Sequence, residues 1–419
     1  MEYLFFQGSN AALSAVEIYN YFSRVGVVAT YDTSLLPKIL VVKTSNQLDC
    51  EHIISRLGGT PVIARVITKI EKLDLDEIVE KANIPALFMP EIKPILGISF
   101  ENLSQGDPTI ATTRDLRGLA MKIKKLLALK GLRMVLPQSG TSLSSAQIFN
   151  SQIPEKAVGI NLIQVSKDNY LLAQIEAVQD IDFYTRRDRD RPATDPGKGM
   201  IPVKLAQMFI NLSQAAPDTE IYDPFCGAGT IVSEALLMDF DVTASDISLK
   251  QVERTKENID WLRSTFQGIF SSKRQAKFFG HDITKPLPKI VPVASFSAVV
   301  SEGWLGPAIS RQPSAFEIEN TFVRTQELLL AVLNNVYTLL KNDARVVIAL
   351  PAFHVDKRII RAPFLHEDFR RFLPHGYEVD PIVPENWSHP VFRESSQGMM
   401  LYGRPDALVL RDVLRLKKI

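Results

Sequence analysis

A glycine-containing turn between a strand and a helix constrains the fold of this chain more than any other feature. The stretch "EIYDPFCGAGTIVSEALLMDFDVTASD", residues 220–246, predicts a strand ending at Asp223, a turn containing Gly227 and Gly229, a helix, and a strand ending at Asp246. Glycine suits the turn because a Cβ atom would hinder the tight bend and the close approach of a ligand. Strand, helix and strand with short connections predict a parallel sheet, whose ligands bind beyond the carboxyl ends of the strands.

The turn does not match the common phosphate-binding motifs. A dinucleotide site needs a third glycine near Val232, and a P-loop needs a lysine after its glycines. Asp223 also occupies a position where a carboxylate would repel a phosphate and attract a cation. These departures argue against a nucleotide phosphate as the ligand of the turn.

Three successive strand ends carry aspartates. Asp223 suits an ammonium group, Asp246 is spaced to accept hydrogen bonds from ribose hydroxyls, and Asp282 in "FFGHDIT" suits the amine of adenine. Each aspartate alone is equally typical of a turn or a helix cap. Together they supply partners for the ammonium, ribose and adenine of S-adenosylmethionine, so the sequence predicts a site for this cofactor.

The composition limits the other functional classes. The 419 residues are 46% hydrophobic and 23% charged with a formal net charge of +1, so a nucleic-acid surface must be a local patch. Only Cys50 and Cys226 are present, too few for a disulfide framework or a cysteine-based zinc site. No apolar run reaches the roughly 18 residues of a membrane span. We therefore expect a cytoplasmic protein with neither a metal nor a membrane partner.

The pattern of strands and helices predicts an α/β protein with several domains. Short strands such as "KILVVKT" indicate a small α+β domain over residues 1–75, and a second unit with alternating strands and helices follows over 76–185. A segment rich in proline, glycine and charge, residues 186–201, predicts a linker, and the parallel-sheet domain occupies 202–419.

A predicted helix from about Thr112 to Leu129 is strongly basic. A solvated helix face accounts for this pattern, and so does a docking surface for a phosphate backbone. The candidate RNA-binding residues on and just beyond the helix are Arg114, Arg117, Lys124, Lys125 and Arg133.

Much of the chain resembles the THUMP-containing tRNA guanine-N2 methyltransferases, particularly the branch that modifies position 10 of tRNA. The resemblance is carried by "GMIPVKLAQMFINL", "DPFCGAGTIVSEALLMDFDVTASDIS" and the closing "LYGRPDALVLRDVLRLKK". It implies a Rossmann-like methyltransferase domain preceded by a ferredoxin-like domain and a THUMP domain that binds tRNA. It also raises the option of a small activating protein subunit. The cofactor-binding residues it implies are Asp223, Phe225, Gly227, Gly229, Asp246 and Asp282.

The loop "SEGWLGP" departs from this family. The family's catalytic loop reads Asp, Asn or Ser, then two prolines, then an aromatic residue, and the corresponding residues here are Ser301, Glu302, Gly303 and Trp304. The exocyclic amine of a base is a poor nucleophile. Methyl transfer to it therefore needs hydrogen-bond acceptors for the amine hydrogens and an aromatic ring on which the base can stack. Ser301 offers a lone pair, Trp304 offers a ring, and Glu302 offers an acceptor or base. Gly303 adds backbone freedom that costs about 0.5–1 kcal/mol to lose.

Three interpretations of the variant loop remain open. The chain is an active enzyme for guanine N2 in tRNA, an inactive RNA-binding descendant with a cofactor pocket, or an amino-methyltransferase for another base in ribosomal RNA or DNA. The intact cofactor motif favours activity.

Overall fold

The computed structural model describes most of the chain. Contacts within it separate two compact units, the first comprising Met1–Ala11 and Val28–Phe183, the second Ala12–Val27 and Tyr184–Ile419. The described residues are 1–73, 75–83, 88, 94–104, 106, 108–194, 200–268, 273–288, 291–365, 373–392, 399–404 and 406–419.

The first unit is built on one eight-stranded sheet. Its strands are β1 Glu2–Phe6, β2 Ala29–Asp32, β3 Ile39–Thr44, β4 Val62–Ile70, β5 Ile95–Asn102, β6 Arg133–Val135, β7 Val158–Ser166 and β8 Asn169–Val178. The strand order is β2-β3-β1-β4-β8-β7-β5-β6, with β5 parallel to β6 and β7 and the other pairs antiparallel. The strands expected in residues 1–75 and in 76–185 therefore share one sheet.

Helices accompany this sheet, and the basic helix is one of them. They are α2 Cys50–Ser55, α3 Leu75–Ala82, α4 Thr113–Leu127 and α5 Ser145–Asn150; α1, Ala11–Val25, falls almost wholly in the second unit. Thr112 and Asp115 form a reciprocal capping box that starts α4, and Ala128 ends it in the left-handed conformation with φ of +48°. The predicted helix is confirmed, with its end two residues earlier than expected.

The second unit alternates strands and helices as the sequence predicts. After α6 Ile181–Arg189, which begins in the first unit, it contains α7 Val203–Leu212, α8 Thr230–Leu237, α9 Leu249–Thr265 and α10 Ala315–Val336. Its strands are β9 Glu220–Asp223, β10 Asp241–Asp246, β11 Ala276–Gly280, β12 Phe296–Glu302, β13 Leu340–Val355, β14 Arg358–Ile360, β15 Tyr377–Val379, β16 Met399–Tyr402 and β17 Val409–Lys418.

The strand order of the second unit fixes where a ligand can bind. Along the sheet the strand order is β11-β10-β9-β12-β13-β17-β15. The first five of these strands are parallel, and β17 is antiparallel to β13. From β9 the chain proceeds to β10 and β11 on one side, then returns to place β12 on the other side. This reversal is a topological switch point, where open α/β sheets bind ligands beyond the carboxyl ends of their strands.

A closely packed apolar core holds β9 and β12 together. Tyr222 and Phe296 stack with ring centroids 5.0 Å apart, and both side chains are fully buried. Val299, Leu333 and Ile348 extend the same cluster onto α10 and β13. Because buried side chains are close-packed, the ends of these strands are rigidly placed relative to one another.

Helix α1 packs into the second unit through polar contacts as well as apolar ones. Asn211 Nδ2 donates to the buried carboxylate of Glu17 at 2.8 Å, and Arg415 Nη1 donates to Asn20 Oδ1 at 2.5 Å. Tyr19 meets the ring of Trp387 edge to face. This segment, assigned by its sequence to an N-terminal domain, is thus part of the unit that contains the parallel sheet.

Residues 186–189, which their composition assigns to a linker, continue α6. Arg187 forms a buried ion pair with Glu234 of α8, with Nε and Oε1 2.8 Å apart. Farther along, Asn258 Nδ2 donates to the carbonyl oxygens of Ala193 and Ala228. Residues 195–199 of the expected linker lie outside the described residues.

Within the described part of the chain, no helix is long and apolar enough to span a membrane.

Candidate functional site

The glycine turn lies at the switch point and is shaped by close packing on one side. Gly229 has φ of +81°, and a Cβ atom there would lie 2.7 Å from Cγ2 of Thr255. Gly227 has φ of +53°, but a Cβ atom there would meet nothing nearer than the Phe225 carbonyl at 4.0 Å. Gly229 is therefore needed for packing against α9, whereas Gly227 borders open space that a ligand can fill.

Asp223 and Ser301 meet across the switch point. The Ser301 hydroxyl donates to Asp223 Oδ1 at 2.6 Å, and the backbone N–H of Phe225 donates to the same oxygen at 3.2 Å. Both side chains are fully buried. Burial raises the pKa of Asp223 to about 7, against the effect of the Ser301 hydrogen bond, and nearby Asp246 and Glu302 raise it further. A cationic ligand beside this carboxyl would favour its ionised form.

Asp246 ends β10 directly opposite the turn. Its Oδ2 accepts a hydrogen bond from the backbone N–H of Gly227 at 3.1 Å, and its Oδ1 accepts one from Ser248 at 2.9 Å. Each carboxylate oxygen can accept a second hydrogen bond, so the side chain can still bind a pair of hydroxyls. Its contact with Gly227 also fixes the turn to β10.

Asp282 follows β11 by two residues and starts a turn of its own. Its Oδ1 accepts hydrogen bonds from the backbone N–H and the hydroxyl of Thr284, and these bonds lower the pKa of the carboxyl. The carboxylate is thereby held ionised at the carboxyl edge of the sheet, next to the strand that carries Asp246.

The variant loop follows β12, which lies between β13 and the strand that ends at Asp223. Glu302 Oε1 accepts a hydrogen bond from Arg411 Nε at 2.5 Å. Burial raises the pKa of Glu302, against the opposing effect of Arg411. The Trp304 side chain is 38% exposed, whereas Ser301 is inaccessible to solvent. Of the three predicted catalytic residues, Glu302 and Trp304 are therefore the ones open to a substrate.

Close packing explains the glycine at position 303, and the sequence does not reveal this contact. Its N–H donates to the Ala349 carbonyl at 3.0 Å, and a Cβ atom on Gly303 would lie 2.8 Å from that oxygen. A distance this short cannot be accommodated without moving β13. The glycine therefore allows the loop to pass close to the neighbouring strand, a position where the family has proline.

Several residues that support the site were not singled out by the sequence analysis. Thr255 donates to the Gly227 carbonyl at 2.8 Å, and Arg191 donates to Thr230 at the start of α8. Ile247, directly after Asp246, is 73% exposed at the rim. An apolar residue directly after a strand-end acid is a local signal in the sequence that points to Ile247; the other two contacts depend on tertiary packing.

Of the predicted RNA-binding residues, Arg114, Arg117, Lys124 and Lys125 share the solvent side of α4, and Arg133 is the first residue of β6. The opposite side is buried through Leu116, Leu119, Ile123 and Leu127. Arg114, Arg117, Lys125 and Arg133 are exposed and Lys124 is partly exposed. The arrangement leaves the cationic groups accessible, as a docking surface requires. Among the described residues, no group of three or more His, Cys, Asp or Glu side chains is placed to hold a metal ion.

Comparison with known proteins agrees with this geometry. Residues 190–291, which contain the glycine turn and the three aspartates, match the RMKL-like methyltransferase domain. A curated relative from Methanothermobacter thermautotrophicus, named tRNA (guanine(10)-N2)-dimethyltransferase, is 38% identical over 112 residues, covering 26% of this chain and 33% of that protein. The match thus spans about a third of the relative's length.

Similarity to a solved structure extends over the whole chain. TrmN from Thermus thermophilus matches with a TM-score of 0.55 and 16% identity, covering 100% of both chains. At an identity this low, the match establishes the fold alone. The second unit has a Rossmann-like fold within a mixed α/β protein, as the sequence predicts.

Proposed function

We propose that this protein is an S-adenosylmethionine-dependent methyltransferase that modifies the exocyclic N2 of a guanine in tRNA. The observation that carries the proposal is the group of strand-end carboxylates around an open glycine turn, at the switch point of a methyltransferase domain. The 38% identity to a tRNA guanine-N2 methyltransferase falls on a 112-residue segment and favours the same target.

The described residues fit S-adenosylmethionine. The open side of Gly227 is the cradle, because a Cβ atom there would project into space rather than into protein. Asp223, buried behind the turn, supplies negative charge for the cationic part of the cofactor, Asp246 is the partner for ribose hydroxyls and Asp282 for the adenine amine, and exposed Ile247 offers an apolar surface to the base. Phe225 packs against the core and donates its N–H to Asp223, which holds the turn. When bound, the cofactor supplies an electrophilic methyl group.

Glu302 and Trp304 are the groups that receive the base in this proposal. A carboxylate oxygen of Glu302 accepts a hydrogen bond from the guanine amine, which increases electron density on the nitrogen, and it can accept a proton that the methylated nitrogen must lose. The Trp304 ring stacks on the extruded base. Ser301, buried and donating to Asp223, has an orienting role behind them.

The first unit is the proposed tRNA-docking module. Residues 76–185 would act as the THUMP-like part, with the cationic side of α4 contacting the phosphate backbone. The chain's two cysteines, both buried and unpaired, suit activity in the cytoplasm. A small activating subunit is part of the proposal only if the purified chain proves inactive alone.

The test is methyl transfer from isotopically labelled S-adenosylmethionine to unmodified tRNA transcripts, followed by nucleoside mass spectrometry. We expect N2-methylguanine or its dimethyl form, and no product with Asp246→Ala. Product on adenine or cytosine would replace guanine as the target, and transfer only to ribosomal RNA or DNA would replace tRNA. If the chain binds cofactor and tRNA but transfers no methyl group, with or without a cell extract, it is an RNA-binding descendant.

A further inference from the structure

Arg411 reaches Glu302 from two strands away. Glu302 is in register with Ala349 of β13, and Arg411 of β17 is in register with Pro351, two residues farther along β13. Residues in register share a face of the sheet, as do residues two apart on one strand. The Arg411 side chain therefore crosses β13 on the face where Ala349 supplies only a methyl group, and its Nε meets Glu302 Oε1.

This contact occupies one oxygen of the carboxylate and leaves the other. Glu302 Oε2 has no hydrogen-bond partner in the part of the chain that the structure describes, while Oε1 is held by Arg411. The two side chains are 16% and 15% exposed, so the pair lies at the edge of the interior with a narrow opening. This contact restrains the carboxylate from one side and leaves its second oxygen free.

We propose that Arg411 is a positioning residue for methyl transfer: it holds Glu302 as a fixed carboxylate whose free oxygen accepts the hydrogen of the target amine. The inference rests on the proposed function and assigns a role to a residue outside the cofactor motif and the loop. Arg411 touches neither cofactor nor base and acts through Glu302.

The surrounding charges explain why Glu302 needs this partner. Asp223 on β9 is a second buried acid, and Glu302 is among the groups that raise its pKa. Burial raises the pKa of Glu302 itself, and the opposing effects come from Arg411, by charge and by hydrogen bond. Tyr402 of β16, beside Arg411 in register, has a raised pKa and is neutral. Without Arg411, Glu302 would be protonated over a wider pH range and would lose its acceptor character.

Arg411→Gln is the first test, with Arg411→Lys as the variant that keeps the charge. Methyl transfer to tRNA is measured from pH 6 to 9, with kcat separated from KM. We expect Arg411→Gln to move the acidic limb of the kcat profile up by about one pH unit or more, because a close cation lowers a carboxyl pKa by about that amount. Arg411→Lys should keep the limb near its wild-type position with a lower plateau. KM for tRNA should change less than about threefold, since Arg411 makes no RNA contact in this proposal.

Two controls separate positioning from general stability. Lys417→Gln removes a charge from the other end of β17, where Lys417 pairs with Asp343, and should leave the profile unchanged. Glu302→Gln should remove the effect of a second Arg411→Gln change on the profile, because the arginine then has no carboxylate to act through. Thermal unfolding of the ligand-free protein provides a readout independent of activity: Arg411→Gln should alter its pH dependence, whereas the double variant should not.

If the acidic limb and the plateau of the kcat profile of Arg411→Gln match those of the wild type, the inference is overturned while the proposed function stays intact. An equal effect of Arg411→Gln in the Glu302→Gln background would also overturn it, since the arginine would then act by another route. If Arg411→Gln does not fold, Arg411→Lys and the neutral double variant still decide between these outcomes. Failure of the wild type to methylate any RNA would instead reject the proposed function.

Discussion

The Ser301 hydroxyl donates a 2.6 Å hydrogen bond to Asp223, joining β12 to β9 at the switch point of the second unit. The two residues are 78 positions apart in sequence and both are fully buried. Burial raises the pKa of Asp223 although the Ser301 hydrogen bond lowers it, so the stability of the second unit should depend on the ionisation of this carboxyl.

Asp223→Asn should flatten the pH dependence of stability. The folded-state pKa of Asp223, about 7, lies above its ordinary value of 3.8, so its stabilising contribution is present at low pH and is lost as the pH rises through about 7. Between these two pKa values the loss of stability can reach about 4 kcal/mol, at 1.36 kcal/mol per pKa unit. Urea unfolding at pH 4 and pH 8 measures it. Exposed Asp260→Asn is the control, and identical pH dependence in wild type and Asp223→Asn would contradict the prediction.

Gly229→Ala and Gly227→Ala should differ. The first places a methyl group 2.7 Å from Thr255 at a φ of +81°, so we expect a loss of about 1–3 kcal/mol in the free energy of unfolding. The second meets open space and should cost less stability but at least tenfold in S-adenosylmethionine affinity. Thermal unfolding measures the loss of stability, and titration calorimetry measures the loss of affinity. Equal effects of the two variants on both quantities would contradict the proposed role of Gly227 in cofactor binding.

Arg187→Met should destabilise the second unit by about 3–5 kcal/mol. It leaves the buried Glu234 carboxylate without its ion-pair partner, and burial already raises the pKa of this carboxyl. The double change Arg187→Met with Glu234→Leu should recover most of the loss, because neither charge then remains. A double-mutant cycle by urea unfolding tests this, and additive losses would mean that the pair is not coupled.

Charge reversal at Lys124 and Lys125 should weaken tRNA binding and reduce its dependence on salt without changing stability. Each cation that contacts a phosphate releases counterions, so losing two contacts lowers the slope of log affinity against log salt by about two. Filter binding at several salt concentrations measures the slope. Reversal of Lys38 and Lys156, exposed lysines outside α4, changes net charge equally and should have a smaller effect.

Trp304→Ala should reduce methyl transfer while leaving cofactor affinity near the wild-type value. The ring is exposed at the mouth of the loop, and a base stacked on an aromatic side chain gains about 1–3 kcal/mol. Trp304→Phe keeps a stacking surface and should restore most of the activity. Kinetics at saturating cofactor provide the comparison; a Phe variant as impaired as the Ala variant would point to a structural role for the indole.

Features that depend on neighbours along the chain could be predicted from the amino-acid sequence. Turn glycines and strand-end aspartates could be located at Gly227, Gly229 and Asp246 because steric demands and alternating hydrophobicity act over a few residues. The basic side of α4 was visible for the same reason. The Rossmann-like domain followed from these local patterns and from the family resemblance, and the structural comparison confirms it.

Contacts between groups that are distant in sequence depend on how the chain folds in three dimensions. Strand order brings Arg411 to Glu302 across 109 positions, and helix packing brings Asn211 of α7 to Glu17 of α1 across 194. No local pattern encodes either contact. The fold also buried Ser301 and left Glu302 partly open, although the two are adjacent in sequence, because successive side chains of a strand point to opposite faces. The composition of the loop could name its candidate groups, but their roles depend on which of those faces the folded sheet leaves accessible.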